Sequence, residues 1–460
     1  MLMLFLAGIA AGVGVALFNW RRGIEAAILL SLLQDPVRKL VPGAPAWLVL
    51  AAVPVWLAVL VSAARARQLP VSGFLRMFPR LGGWLKAFAA YLVIPAAISA
   101  TYGRNSWMIT LLGAFVYATV FLMMVAGWRY PRPPAPPVRF LAFYAVAGAL
   151  MLLGGPLEAM GLQAGHPVIG TEALGHVWVT YRTGAPVHML SGLFRSPDVM
   201  GWHAALVFMV ASILALRSKG RMRWIWIGVA VWGLLNIWLC GRRKMLAMVP
   251  VFAGGLVLME FRARNLRRIL SLAGTALLIG GLGWYLIASL YRSAAVERFY
   301  LSTIEEANER IEFHGIRSVF STVKQAGFWG YGLGMSQQGV HNIRAEKPRL
   351  WQESGPSKLV AELGVPGVAL LLGLGTVLLL TMIHVVRRGR SGTGFVLSAG
   401  ILSILLANGA ASVVSAQIFG DPLVAFLAGL LLADARIPLP GEVAAPPCAT
   451  GADPVQCEPS

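Results

Sequence analysis

Apolar runs long enough to cross a lipid bilayer as helices recur along this chain from Leu2 to Ala435. The hydrocarbon core of a bilayer is about 30 Å thick, so a crossing helix needs about 20 mostly apolar residues. Inside lipid, a helix satisfies its own backbone hydrogen bonds. Charged residues make up only 13% of the sequence, against about 25% in soluble proteins. We therefore expect an all-α, polytopic helical bundle in a membrane.

The runs predict 12 or 13 spans, because the second run is short and could be half of a hairpin. The predicted spans are residues 2–20, 24–34, 46–63, 86–103, 106–127, 140–156, 200–217, 223–240, 244–261, 269–291, 358–386, 394–413 and 422–435.

Basic residues cluster between alternate apolar runs, which gives the bundle a predicted orientation. Cytoplasmic loops of membrane proteins carry an excess of Lys and Arg. This bias also explains the net charge of +20 without a nucleic-acid partner. The clusters assigned to the cytoplasm are residues 21–22, 65–86, 129–139, 217–223, 262–268 and 387–390. Leu69–Lys86 mixes aromatic and basic residues and predicts a segment lying on the anionic leaflet.

This orientation divides the chain into four parts. Residues 1–290 form the N-terminal part of the bundle, and residues 291–357 form one large helical periplasmic loop. Residues 358–436 supply the last spans, and the Pro-rich residues 437–460 form a disordered cytoplasmic tail. A second outward connection covers residues 157–199. The orientation predicts a multi-pass membrane protein, with membrane lipid as a partner.

Arg242, Arg243 and Lys244 lie at the outward end of a span, where the positive-inside bias disfavours cations. No Asp or Glu is close in sequence, so the cluster needs acidic partners from elsewhere or an anionic ligand. A diphosphate suits it, because the guanidinium fork matches phosphate oxygens. Lipid headgroups or helix-end carbonyls are the alternative partners.

The first outward connection adds two cations, Arg182 and Arg195. Residues 196–198 (Ser-Pro-Asp) predict the N-cap of the next span. His203 follows one turn into that span and is interpreted as a packing residue. The remaining histidines of this connection are interpreted as loop residues: His166, His176 and His188.

The large loop predicts a helix over residues 305–325 that carries Arg310. Gly330–Gly334 (GYGLG) predicts a tight turn with backbone amides free to approach a ligand. His341 and Glu353 follow, and either could act as a general base at a dry membrane edge. The alternative for each is a solvated loop residue. The three cysteines show neither a disulfide framework nor metal-ligand spacing. The sequence predicts no cofactor.

Three segments resemble the O-antigen ligase and O-antigen polymerase superfamily of bacterial envelope enzymes. They are SGLFRSPDVMGWHAAL, LCGRRKMLAMVP, and the large loop with its Arg-bearing helix, GYGLG turn and final ELGVPG at residues 362–367. The resemblance covers roughly residues 140–435. It implies a metal-independent glycosyltransferase of the bacterial inner (cytoplasmic) membrane, with its active loop in the periplasm. The enzyme would use a polyprenyl-pyrophosphate-linked glycan, with a chain-length regulator as a possible partner.

By position in the resembling motifs, Arg243 (or Arg242) and Arg310 would hold the pyrophosphate and stabilise its charge as it leaves. Ligases of this superfamily usually place a His about nine residues before the Glu of the ELG motif. Here Glu353 occupies that position and His341 lies further upstream. The base is therefore His341 or Glu353, and the substitution favours a polymerase over a ligase.

Two functions of other classes remain open. A transporter or flippase of lipid-linked oligosaccharide would use the same anionic lipid, but it predicts internal repeats and broken helices with polar groups at mid-membrane. No repeat relates the two halves of this sequence. A non-catalytic scaffold for envelope assembly leaves the cation cluster unexplained.

Overall fold

The computed structural model of the protein describes most of the predicted bundle. The described residues are 1–131, 137–180, 186–262, 274, 281, 285, 302, 311–337, 340, 343, 345, 346, 348, 352, 354–388, 393–414 and 421–436.

Helices form nearly all of the described structure. They are α1 (Leu2–Phe18), α2 (Trp20–Leu40), α3 (Val53–Arg65), α4 (Val71–Met77), α5 (Pro79–Tyr91), α6 (Val93–Ser99), α7 (Ser106–Arg129), α8 (Val138–Met151), α9 (Gly154–Ala159), α10 (Pro197–Arg217), α11 (Gly220–Leu239), α12 (Arg243–Arg262), α13 (Ser318–Ala326), α14 (Gly355–Arg388), α15 (Thr393–Ser412) and α16 (Pro422–Leu432).

Short elements complete the described part. One two-residue hairpin pairs β1 (Val179–Thr180) with β2 (Val187–His188) in antiparallel register. A π-helix over Ile311–Arg317 leads into α13. Four 3₁₀ helices are Ala46–Leu50, Leu162–Gly165, Glu172–Leu174 and Ala433–Arg436.

Eight stretches of the described chain are long and apolar enough to cross a membrane, which makes this an all-α multi-pass membrane protein. They are Ala46–Arg65, Pro79–Ser99, Ser106–Arg129, Val138–Ala159, Pro197–Arg217, Gly220–Leu239, Gly355–Arg388 and Gly394–Ser412. Each overlaps one predicted span. Two shorter apolar helices, Leu2–Phe18 and Pro422–Ala435, overlap two more. The predicted span 269–291 lies largely outside the described residues.

Two predicted boundaries are wrong for identifiable reasons. The short run 24–34 is the middle of α2, which has 21 residues and continues through Asp35, Arg38 and Lys39. Those charged residues lie beyond the apolar run, and their side chains contact protein groups. The predicted interfacial segment Leu69–Lys86 is divided, since α4 ends at Met77 and Pro79 begins α5.

The helices have two distinct ends. At one, which we call the basic end, the side chain of Arg21, in the first turn of α2, donates to the Tyr130 carbonyl oxygen at 3.0 Å. We call the other end of the helices the loop end. There, the connection before α10 and the segment before α14 contact the helices. Lys39 of α2 donates to the Gly192 carbonyl oxygen there at 2.9 Å.

The GYGLG turn and a break in α14 interlock at the loop end. The Tyr331 N–H donates to the Ala361 carbonyl oxygen at 2.7 Å, and the Val365 N–H donates to the Phe328 carbonyl oxygen at 2.9 Å. Gly364 has φ +67° and ψ −177°, a backbone conformation that interrupts α14. The segment around the GYGLG turn lies against α14 at this interruption.

The expectation of turn amides free for a ligand is therefore wrong at two residues of the turn. Besides Tyr331, Leu333 donates its N–H to the Pro95 carbonyl oxygen at 2.8 Å. Glycine is required along the turn because Gly330, Gly332 and Gly334 all have positive φ. The turn is therefore packed against α6, α7 and α14.

Candidate functional site

A cavity of about 930 Å³ opens between α2, α3, α5, α7, α10 and α14. Most of its wall is apolar, with residues such as Leu81, Phe88, Phe121 and Leu371. Ionisable side chains also line it: Asp35, Arg195, His203, Lys358, Glu362 and Asp421. A cavity with apolar walls and a charged portion suits an amphiphilic ligand.

Arg195 is the predicted site residue that lines this cavity. It lies directly before α10, whose N-terminus is capped by the Ser196 side chain accepting the Val199 N–H at 3.3 Å, as predicted. Asp35 holds Arg195 twice, by accepting its backbone N–H at 3.1 Å and its guanidinium at 3.4 Å. Asp35 is buried whereas the Arg195 side chain is 24% exposed, so Arg195 is oriented but accessible.

A second contact set fixes the chain that leads to Arg195. The Glu158 carboxylate accepts the N–H groups of Ser191 and Gly192 at 2.8 and 2.6 Å. Lys39 donates to the Gly192 carbonyl oxygen from the other side. Buried charged groups in these positions hold the backbone firmly, because the alternative is an unsatisfied charge.

Glu362 is a cavity residue that sequence reasoning placed in a motif without giving it a role. It is 1% exposed, and its carboxylate accepts the Tyr117 hydroxyl at 2.8 Å. The Gln337 amide donates to both carboxylate oxygens at 3.1 Å. Because these donors occupy the carboxylate, Glu362 ties the segment after the GYGLG turn to α7 and α14. A carboxylate within an apolar run was the available signal.

The α10 and α16 N-termini contribute a histidine and a carboxyl group. His203 stacks on Phe194 with ring centroids 5.0 Å apart and its Nδ1 is 2.9 Å from the Tyr144 hydroxyl. This confirms the packing interpretation, although the ring also lines the cavity. Asp421 caps α16 by accepting the Leu423 N–H at 2.8 Å. Burial raises the pKa of Asp421 to about 6, although backbone N–H groups and Arg195 lower it.

The cluster Arg242–Lys244 lies apart from the cavity lining. Asp198, in the first turn of α10, accepts Arg242 at 2.9 Å and Lys244 at 2.6 Å. The Arg242 guanidinium also lies 4.9 Å from the Trp178 ring centroid, and Arg243 is buried. The sequence indicated that these cations need an acidic partner from elsewhere or an anionic ligand, and Asp198 is an acidic partner of Arg242 and Lys244. The pyrophosphate-binding role predicted for the cluster stays a prediction.

Replacing Asp198 with Asn should destabilise the protein by about 3 kcal/mol, because it leaves two partly buried cations without their carboxylate. The measurement is the midpoint of thermal unfolding of the purified protein. The double variant Asp198→Asn with Lys244→Met is the matched control and should recover part of the loss. An unchanged midpoint in the single variant would show that the cations are stabilised by another group.

Four predicted site residues lie outside the described residues: Arg182, Arg310, His341 and Glu353. Their predicted roles stay predictions. The nearest described position to His341 is Val340, which is buried beside Ile109 and Met335. Val340, the residue directly before His341, is therefore packed at the loop end.

No protein-family model matches this sequence, and no curated protein is significantly similar to it.

Proposed function

We propose that this protein is a membrane glycosyltransferase. It would move a polyprenyl-pyrophosphate-linked saccharide onto a hydroxyl acceptor, and so polymerise or ligate an O-antigen or exopolysaccharide at the outer face of a bacterial inner membrane. The observation that carries the proposal is the cavity with apolar walls and an oriented arginine. An isoprenoid chain matches the apolar wall and a pyrophosphate matches Arg195.

In the proposed reaction, the acceptor oxygen forms a bond to the anomeric carbon as the bond from that carbon to the pyrophosphate oxygen breaks. The polyprenyl pyrophosphate leaves with the electron pair, and a base takes the acceptor proton. Arg195 and Lys358, which both line the cavity, would stabilise the growing negative charge. His341 or Glu353 remains the proposed base.

The loop end is the outer face in this proposal. The basic end carries Arg21, Arg129 and Arg217, as the positive-inside bias requires of the cytoplasmic side. The cavity residue Asp35 lies in the half of α2 that is away from Arg21. The cavity residue Arg195 lies just before α10, at the end of that helix away from Arg217. Lipid-linked saccharide in the outer leaflet would then enter the cavity from the bilayer. A chain-length regulator would act at the outer face of the membrane.

The test uses wild-type protein in nanodiscs with polyprenyl-pyrophosphate-linked oligosaccharide, with products read by gel and mass spectrometry. A ladder of longer glycans identifies a polymerase, and a single transfer onto a lipid-linked acceptor identifies a ligase. Substrate binding without any transfer would overturn the enzyme proposal. In that case, movement of labelled lipid-linked oligosaccharide across liposomes containing the protein would identify the flippase alternative.

A further inference from the structure

The segment from Glu312 to Trp329 carries its apolar side chains outward. Phe313, Ile316 and Phe320 are 49%, 57% and 65% exposed. Their spacing of three and four residues places them on one side of the helical segment. The first two lie in the π-helix and the third in α13. We call these three residues the outward apolar face.

The opposite face of α13 is polar and packed against α14. Thr322 is fully buried and donates to the Ser318 carbonyl oxygen at 2.7 Å. The Ser318 hydroxyl contacts the Ser357 hydroxyl of α14. In water, an amphipathic helix turns its apolar side inward. The arrangement here is the reverse, which indicates that the outward apolar face meets something other than water.

The position of the segment along α14 identifies what covers this face. Trp329 and Phe328 follow α13, and both are about half exposed. The Phe328 carbonyl oxygen accepts the Val365 N–H, and Val365 begins the long apolar part of α14. These aromatic rings therefore lie level with the point where a membrane-crossing helix becomes continuously apolar. Trp and other amphipathic aromatic residues concentrate at that level of a bilayer.

The charges agree with a lipid surface. Arg317 lies 4.6 Å from the Phe313 ring centroid and pairs with Glu312 at 2.5 Å. Lys324 is exposed one turn after Phe320. Cations beside an apolar face reach phosphate headgroups while the rings reach acyl chains.

We propose that the segment Glu312–Trp329 lies in the membrane surface at the loop end, with its outward apolar face toward the lipid acyl chains. The segment thereby fixes the height of the GYGLG turn, which begins at Gly330, against the bilayer. This inference is independent of the glycosyltransferase proposal.

The test places a bimane fluorophore on Phe320→Cys and on Ile316→Cys. Cys240 is buried, and Cys448 and Cys457 would be replaced by Ser to leave one reactive thiol. The matched control is Gln325→Cys, which is exposed on α13 about 140° from Phe320 around the helix. Each labelled protein is placed in nanodiscs of phosphatidylethanolamine and phosphatidylglycerol, with or without doxyl-labelled phospholipid.

Doxyl lipid should quench bimane at residues 316 and 320, whereas aqueous iodide should quench it at residue 325. Equal iodide quenching at all three positions would overturn the proposal by showing a water-facing segment. Protection of residues 316 and 320 from both quenchers would also overturn it, since a second protein copy would then cover the face. Retained elution as a single species in gel filtration checks that each variant is folded.

Discussion

Arg195→Ala should lower glycan transfer by about 10²–10³-fold, the usual effect of removing one group that stabilises charge in the transition state. Arg195 lines the cavity and its direction is set by Asp35, which accepts both its backbone N–H and its guanidinium. The measurement is the rate of product formation in nanodiscs at saturating lipid-linked oligosaccharide. Binding of the lipid substrate should weaken much less, because the apolar wall is unchanged.

Three further variants separate charge, geometry and fold. Arg195→Lys keeps the charge but loses the fork that matches phosphate oxygens, so it should recover only part of the rate. Asp35→Asn keeps one acceptor for Arg195 and should fall between the wild type and Arg195→Ala. Arg38→Ala is the matched control, because Arg38 is also in α2 but contacts the Ala44 carbonyl oxygen and does not line the cavity.

A full rate in Arg195→Ala would remove the central support for a pyrophosphate site in this cavity. The predicted cations outside the described residues, Arg182 and Arg310, would then be the next to replace. If Arg38→Ala lost as much glycan transfer as Arg195→Ala, the loss would instead come from disturbance of the fold at the loop end.

The sequence predicted the bundle well because a membrane span is a local property. Length and apolar content of one run decide whether that run can cross a bilayer. Eight described helices satisfy that test within several residues of the predicted boundaries. The boundaries of α2 were wrong because the apolar run stops before Asp35, whereas the helix continues to Leu40.

The site was harder to predict because its contacts join distant residues. Asp198 meets Arg242 and Lys244 only when the N-termini of α10 and α12 are neighbours, and a search along the sequence near Arg242 cannot find it. The same holds for Glu362, whose hydrogen bond to Tyr117 joins α14 to α7. Arg195 was found because a cation at an outward helix end is unusual in itself.

For the GYGLG segment, the predicted tight turn is present, but the prediction of amides free for a ligand is wrong at Tyr331 and Leu333. Three glycines in five residues did predict a tight turn with positive φ. The pattern could not say whether the amides would meet a ligand or the protein. The structure supplies carbonyl partners from α6 and α14, and the α14 partner, the Ala361 carbonyl oxygen, lies beside the interruption of α14 at Gly364.

Gly334→Ala should therefore destabilise the protein by about 3 kcal/mol or more, as the sum of left-handed backbone strain and overpacking. Gly334 has φ +86°, and an added Cβ would overlap the Ile109 carbonyl oxygen and crowd the Gly113 N–H. Both atoms belong to the α7 backbone, so neither can move aside cheaply. We expect a lower midpoint of thermal unfolding and, because the turn leads to the Glu362 contacts, a loss of glycan transfer.

Gly175→Ala isolates the backbone strain from the steric overlap. Gly175 has φ +78°, close to that of Gly334, but an added Cβ would meet no atom within 4 Å. This control should cost only about 1–2 kcal/mol from the left-handed conformation. Equal losses in the two variants would mean that the turn does not pack against α7.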